Sequence, residues 1–228
     1  MTAPPRFRIA PAVRELGVRG AFAILEGVDN RIDDSALAPL RADLAERLRV
    51  ELVEGFIESD PVLAGFRALH DRIGRSNRRF PASAESLVAL FQRKGVVPAI
   101  NPLVDIYNAV SLETRLSLGA HDLARVTGDI ELRLTNGDEE FLPLGSTVAE
   151  TVPAGEYCYI DSGRRVLCRL EHRHCEQSIV GHDTSACFYI LQGNAATDRA
   201  MLETALTRLI DLTVRHCGGT LVESWIVD

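Results

Sequence analysis

Three short stretches of this chain carry side chains whose types and spacing could do chemistry. In INPLVDIYNAVSL, residues 100–112, Asp105 and Asn108 lie three apart with Leu112 four further on. On a helix these share one face, while Leu103, Ile106 and Val110 form a core stripe. A carboxylate beside an amide could orient a substrate or a water; the same pair could equally bond backbone groups of a neighbouring loop. The second stretch is Leu118-Gly119-Ala120-His121-Asp122. Its glycine allows close backbone approach or a positive φ. His121 and Asp122, adjacent on an extended chain, would point apart and form no dyad, so an ordinary turn is expected here. The third is Arg169-Leu170-Glu171-His172-Arg173-His174-Cys175. If extended, it turns Leu170, His172 and His174 to one face, with two imidazoles in a pocket wall. Zinc would want a second matching cluster. His182 could complete a set, but neither a metal nor a cofactor is expected.

Other chemistries have no motif. The chain holds no GxGxxG, no GxxxxGK[ST], no HExxH and no GxSxG, which removes the usual dinucleotide, P-loop, zinc-peptidase and nucleophile-elbow readings.

The elements that must position these residues are legible in outline. Val18–Val28 is apolar with β-branched content and reads as a buried strand. Ser35 is expected to cap a helix to about Val53, with Leu37, Leu40, Leu44 and Leu48 on one face. Asp60-Pro61 and Asn101-Pro102 are cap-plus-proline starts, and Ser83 opens a further helix ending near Gly95. From residue 128 short strands follow: Asp129–Leu134, a turn at Asn136-Gly137-Asp138, and Glu140–Leu144 as its hairpin partner. Gly155–Asp161, Arg164–Leu170 and Thr184–Leu191 are further strands, then a helix from Asp198 to His216, a Gly218-Gly219 stop and a last strand Leu221–Val227. That order predicts an α/β (α+β) fold with a mixed sheet in one domain spanning residues 1–228.

Composition narrows the class. With 46% apolar and 25% charged residues in 228, the chain is an ordinary globular protein with enough length for a full core. No apolar run reaches the roughly 18 residues of a membrane span. The segment Met1–Arg8 has no apolar signal core, so a cytoplasmic protein with reduced cysteines is expected. The net charge of −7 argues against nucleic acid until it is mapped. Residues 61–95 are +5, through Arg67, Arg72, Arg75, Arg78, Arg79, Arg93 and Lys94, whereas residues 96–158 are −7. The basic segment is either a solvated helix face or a phosphate-contacting surface.

Val104-Asp105-Ile106-Tyr107-Asn108, then Ala120-His121-Asp122, then Gly128-Asp129-Ile130-Glu131-Leu132-Arg133 together resemble the B3/B4 editing module of the phenylalanyl-tRNA synthetase β subunit. The likeness continues through Gly137, Leu142-Pro143-Leu144 and Asp161 and covers roughly residues 65–220. It implies a three-layered domain around a large mixed β-sheet. It also implies a freestanding activity in trans, hydrolysis of the ester joining a wrong amino acid to tRNA, with mischarged aminoacyl-tRNA as partner. Such a second sieve is needed because a synthetase pocket separates side chains differing by one methylene by only about 1–3 kcal/mol. The resemblance makes Asn108 the pocket asparagine and places Gly119 where the module has a histidine, with His121 two residues on. Leu170 and His174 fall at small pocket-lining positions, which implies a narrower, more polar pocket. Thr184 matches a strand-opening threonine, and Ile190 stands where an acid reads a tyrosine hydroxyl, so tyrosine clearance is not implied. Asn108, Gly119 and His121 are thus the catalytic candidates. Asp105, Leu170, His172, His174, Thr184 and Ile190 are the substrate-binding candidates, and Arg72, Arg75, Arg78 and Arg79 the tRNA contacts. A tRNA-binding module without catalysis, or an amino-acid-binding protein without RNA contact, are the alternatives.

Overall fold

Three of the α-helices begin where a side chain satisfies one or two of their first free N–H groups. In the computed structural model, which describes residues 5–31 and 34–227, β1 (Phe7–Ile9), α1 (Pro11–Glu15) and β2 (Arg19–Glu26) come first. Met1–Pro4 of the N-terminal segment read above lie outside the described residues. The helix expected from Ser35 begins instead with a 3-10 turn, Asp34–Leu37, and continues as α2 (Ala38–Glu51), with Pro39 in its first turn. After α3 (Phe56–Ser59), Asp60 caps α4 (Pro61–Arg72), its Oδ1 accepting from the amides of Val62 and Leu63 at 3.0 and 2.9 Å. α5 (Ser83–Lys94) ends on Gly95 at φ 68°, a left-handed stop open to glycine. Asn101 caps α6 (Pro102–Thr114) through the Val104 amide.

The strands are β3 (Ser117–Asp122), β4 (Ile130–Leu134), β5 (Glu140–Phe141), β6 (Glu150–Thr151), β7 (Tyr157–Asp161), β8 (Val166–Arg169), β9 (Arg173–His174) and β10 (Ala186–Gly193). α7 (Arg199–Cys217), capped by Asp198, and β11 (Thr220–Val227) close the chain. The hairpin expected between 129–134 and 140–144 does not form. β4 pairs with β7 and, in parallel, with β1, while β5 pairs with β6. The cause sits in the turn, where the buried Glu139 carboxylate accepts the amides of Asn136 and Gly137 and an Arg133 guanidinium N–H. That arrangement holds Glu139 ionised down to about 2: burial opposes it, but Arg133 and the turn amides outweigh burial. It also sends the chain away from β4.

Three layers result. A mixed five-stranded sheet has the order β1-β4-β7-β8-β9, and an antiparallel sheet the order β11-β2-β10-β3. The two meet through aromatic rings: Phe7 lies 4.1 Å from Phe22 and 5.3 Å from Phe188, and Phe22 stacks on Phe188 at 6.1 Å. Helices α6 and α7 pack on the antiparallel sheet. β2 and β10 are therefore covered on both faces and read as continuous apolar runs, FAIL and CFYIL. α2, α5 and α6 enclose a second, smaller core of Leu44, Leu48, Val88, Phe91 and Leu112.

Candidate functional site

The cleft that gathers the chemistry lies where β3 and β10 of one sheet face β7, β8 and the turn before β9 of the other. Its walls include Ser83, Ser117, Gly119, Glu171, His174, Ile190 and Gln192, with Tyr159 and Cys168 beneath. The segment 117–122 is not a turn but the buried strand β3, with Gly119 directly opposite Ile190 in the β3–β10 ladder. The glycine's φ is ordinary for a strand, so its reason is close approach. A Cβ at position 119 would stand 2.1 Å from both Cε1 and Nε2 of His174.

His174 therefore rests its ring on bare backbone. Beside it, 4.7 Å between centroids, is the ring of His121. His121 Nδ1 meets Ser178 Oγ at 2.8 Å, and Ser178 Oγ meets Cys175 Sγ at 3.0 Å. His121 Nε2 is buried with no hydrogen-bond partner. Burial lowers the pKa of both imidazoles, that of His174 to about 4. At neutral pH each ring is uncharged and keeps an acceptor nitrogen.

The cleft wall contains a carboxylate that alternation along 169–175 concealed. Leu170 takes a left-handed φ of 54°, reversing the expected in–out pattern, so Glu171 points inward. Its Oε2 accepts from Tyr157 Oη at 2.6 Å and Gln192 Nε2 at 2.9 Å, and Tyr159 Oη donates to Gln192 Oε1. Its Oε1 lies 2.6 Å from His70 Nε2 of α4. The Ser83 amide, at the start of α5, donates to the Glu171 carbonyl at 2.8 Å, so α5 is seated on the cleft by its first turn. Three side chains, Tyr157, Gln192 and His70, converge on this buried acid, which no spacing rule pointed to.

Several expected site residues stand elsewhere. Asp105 does not reach the cleft: its Oδ2 pairs with Arg41 at 2.5 Å and its Oδ1 accepts the Ile100 amide, the loop-bonding alternative. Asn108, half-buried on α6, is not among the lining residues and makes no side-chain hydrogen bond among the described residues. Leu170 is fully buried in the main core. His172, turned away by the same bend, bonds the Pro81 carbonyl and packs edge-on against Phe80. Thr184 Oγ1 donates to Asp122 Oδ2 and accepts the Gly181 amide, tying a loop to the end of β3. Only Gly119, His174 and Ile190 line the cleft, with His121 against His174. Among the described residues no group of three or more His, Cys, Asp and Glu is placed to hold a metal.

The basic segment also divides. Arg75 is tied to the buried Glu156 at 2.5 Å, and Arg72 donates to the Leu16 carbonyl at 2.6 Å while remaining exposed. Arg78 and Arg79 are exposed on the loop that leads through Phe80 and Pro81 to Ser83, and Arg79 lies over the Phe80 ring.

A two-sheet core backed by helices is a fold similar to that of the N-terminal fragment of the Pyrococcus horikoshii phenylalanyl-tRNA synthetase β-subunit. The TM-score is 0.51 over 97% of this chain and 52% of that one, at 14% sequence identity. Residues 67–218 match the B3/4 domain, and the chain belongs to that family. It is 41% identical over 73 residues to the phenylalanine–tRNA ligase beta subunit of Shewanella oneidensis, and 40% over 57 residues to that of Photorhabdus laumondii. Those segments are 32% and 25% of this chain but 9% and 7% of the ligase subunits, so the chain aligns with under a tenth of either relative. No helix among the described residues is long and apolar enough to cross a membrane.

Proposed function

We propose that this chain hydrolyses the ester between an amino acid and tRNA, acting in trans on mischarged aminoacyl-tRNA. The observation that carries the reading is the pair of neutral imidazoles, His174 over Gly119 and His121 beside it, in a cleft walled by serines, Gln192 and Glu171. An aminoacyl ester is activated, so its hydrolysis needs a held water and a held carbonyl more than a strong nucleophile. Kinship with phenylalanine–tRNA ligase β subunits supports an aminoacyl-tRNA as the substrate class. Arg78 and Arg79 lie on the loop entering the cleft wall, where a tRNA acceptor end would pass.

The cleft has a volume of only about 10 Å³, room for about one water molecule. A bound aminoacyl ester therefore requires the cleft to widen. The same closure supports a second reading, a tRNA-binding module that does not hydrolyse. Purified protein incubated with a panel of tRNAs mischarged with alanine, serine, threonine, valine and tyrosine separates the two. A shortened ester half-life for any of these esters supports hydrolysis. Salt-dependent tRNA binding with every half-life unchanged supports the binding module and excludes the hydrolase.

A further inference from the structure

We infer that His174 is the residue that positions the attacking water, and that position 119 is glycine because His174 and a side chain there compete for one volume. The inference rests on the hydrolytic reading above. A glycine inside a strand weakens it unless something must approach the backbone closely. Here the φ is ordinary, so the backbone does not demand glycine. What demands it is the imidazole, whose Cε1 and Nε2 both lie 2.1 Å from where a Cβ would be. Even an alanine would have to evict the ring.

The ring stands at the boundary of a space of about 10 Å³. A buried water needs two to four polar partners. Ser83 and Ser117 share that boundary with His174, whose ring makes no hydrogen bond among the described residues. Gln192 and Glu171 are instead engaged with each other and with Tyr157, Tyr159 and His70. The Cys175–Ser178–His121 hydrogen-bond chain holds the neighbouring imidazole in place against it. The neutral His174 ring accepts a hydrogen bond from the water, whose oxygen attacks the ester carbonyl carbon. The new C–O bond forms as the bond from that carbon to the ribose oxygen breaks. The water's proton passes through the imidazole to the departing ribose oxygen, leaving a free amino acid, a tRNA 3′-terminal hydroxyl and an unchanged histidine.

Four variants test this on a seryl ester of a non-cognate tRNA: His174→Ala, Gly119→Ala, His174→Gln, and the exchange Gly119→His with His174→Ala. The single variants His174→Ala and Gly119→Ala should each lower the rate constant roughly 10²-fold or more, within the range for a positioned acid–base group. The exchange, which returns an imidazole to the same volume from β3, should recover at least about tenfold over His174→Ala. The rate should also fall at low pH as the His174 ring, with its pKa of about 4, takes up a proton, and His174→Gln should lack that limb. The other titratable groups facing the ring are His121 from β3, Tyr159 from β7, Cys168 from β8 and Glu171 from the turn. Circular dichroism melts keep loss of fold separate from loss of rate. If Gly119→Ala does not fold, the His174 ring ¹⁵N shifts of the wild-type chain decide the point, read with a 3′-seryl-amido adenosine that cannot be hydrolysed. A shift change on binding supports the inference. A folded His174→Ala variant within threefold of wild type, or unmoved ring shifts in the bound state, overturns it while leaving the hydrolase standing. Absence of wild-type hydrolysis overturns both.

Discussion

His70 Nε2 stands 2.6 Å from Glu171 Oε1, and the two side chains are 0% and 2% exposed. At that distance and depth the two form a charge-assisted pair. Burial alone would lower the pKa of His70, but the Glu171 carboxylate outweighs it and raises the value. A raised imidazole pKa favours folding fully below the unfolded value of about 6.5, and that contribution fades as pH rises through the folded value. Urea unfolding should show Glu171→Gln costing about 3–5 kcal/mol near pH 6, with the difference from wild type narrowing as pH rises through the raised folded value. A difference that does not vary with pH contradicts the pairing.

His121 and His174 carry the opposite sign. Both are held neutral by burial, so the unfolded chain binds protons more readily than the folded one. Their contribution is present above about pH 6.5 and is lost as pH falls toward about 4. Thermal melts should lose Tm across that interval, and His121→Gln with His174→Gln should flatten the loss. An unchanged acid limb in the double variant would place the acid sensitivity elsewhere.

Arg78 and Arg75 should separate binding from stability. If the exposed loop contacts phosphate, Arg78→Ala with Arg79→Ala reduces the salt slope of tRNA affinity by about two, with Tm within a degree or two of wild type. Arg75→Ala instead strips one partner from the buried Glu156, which Arg169 still holds at 2.6 Å, and should cost about 1–3 kcal/mol. Filter binding across a salt series, paired with melts, reads both.

Asp105 and Asn108 share a face of α6 yet should behave differently. Asp105→Ala removes the buried carboxylate that pairs with Arg41 and accepts the Ile100 amide; a loss of about 1–3 kcal/mol is expected in urea unfolding. Asn108→Ala removes no hydrogen bond within the described residues and should stay within about 0.5 kcal/mol.

The elements were legible wherever local chemistry decides them. Asp60-Pro61, Asn101-Pro102 and Asp198 each open a helix in the structure because a side-chain oxygen accepts one or two amides of the first turn. The hairpin at 129–144 was not legible, because a distant pairing, β4 with β7, competes with the local turn and Glu139 decides the outcome. The cleft was half legible. Gly119 and His174 could be named one at a time, but nothing in linear spacing shows that one fills the space of the other. Glu171 was hidden by a single left-handed residue, Leu170, which breaks strand alternation. His70 had no signal at all, since its partner lies about a hundred positions away.

The most direct test of hydrolysis by this chain is the half-life of seryl and alanyl esters on non-cognate tRNA with the purified protein. Hydrolysis in this cleft should shorten both at least about tenfold over buffer. Unchanged half-lives for every mischarged pair, with tRNA still bound, would contradict it.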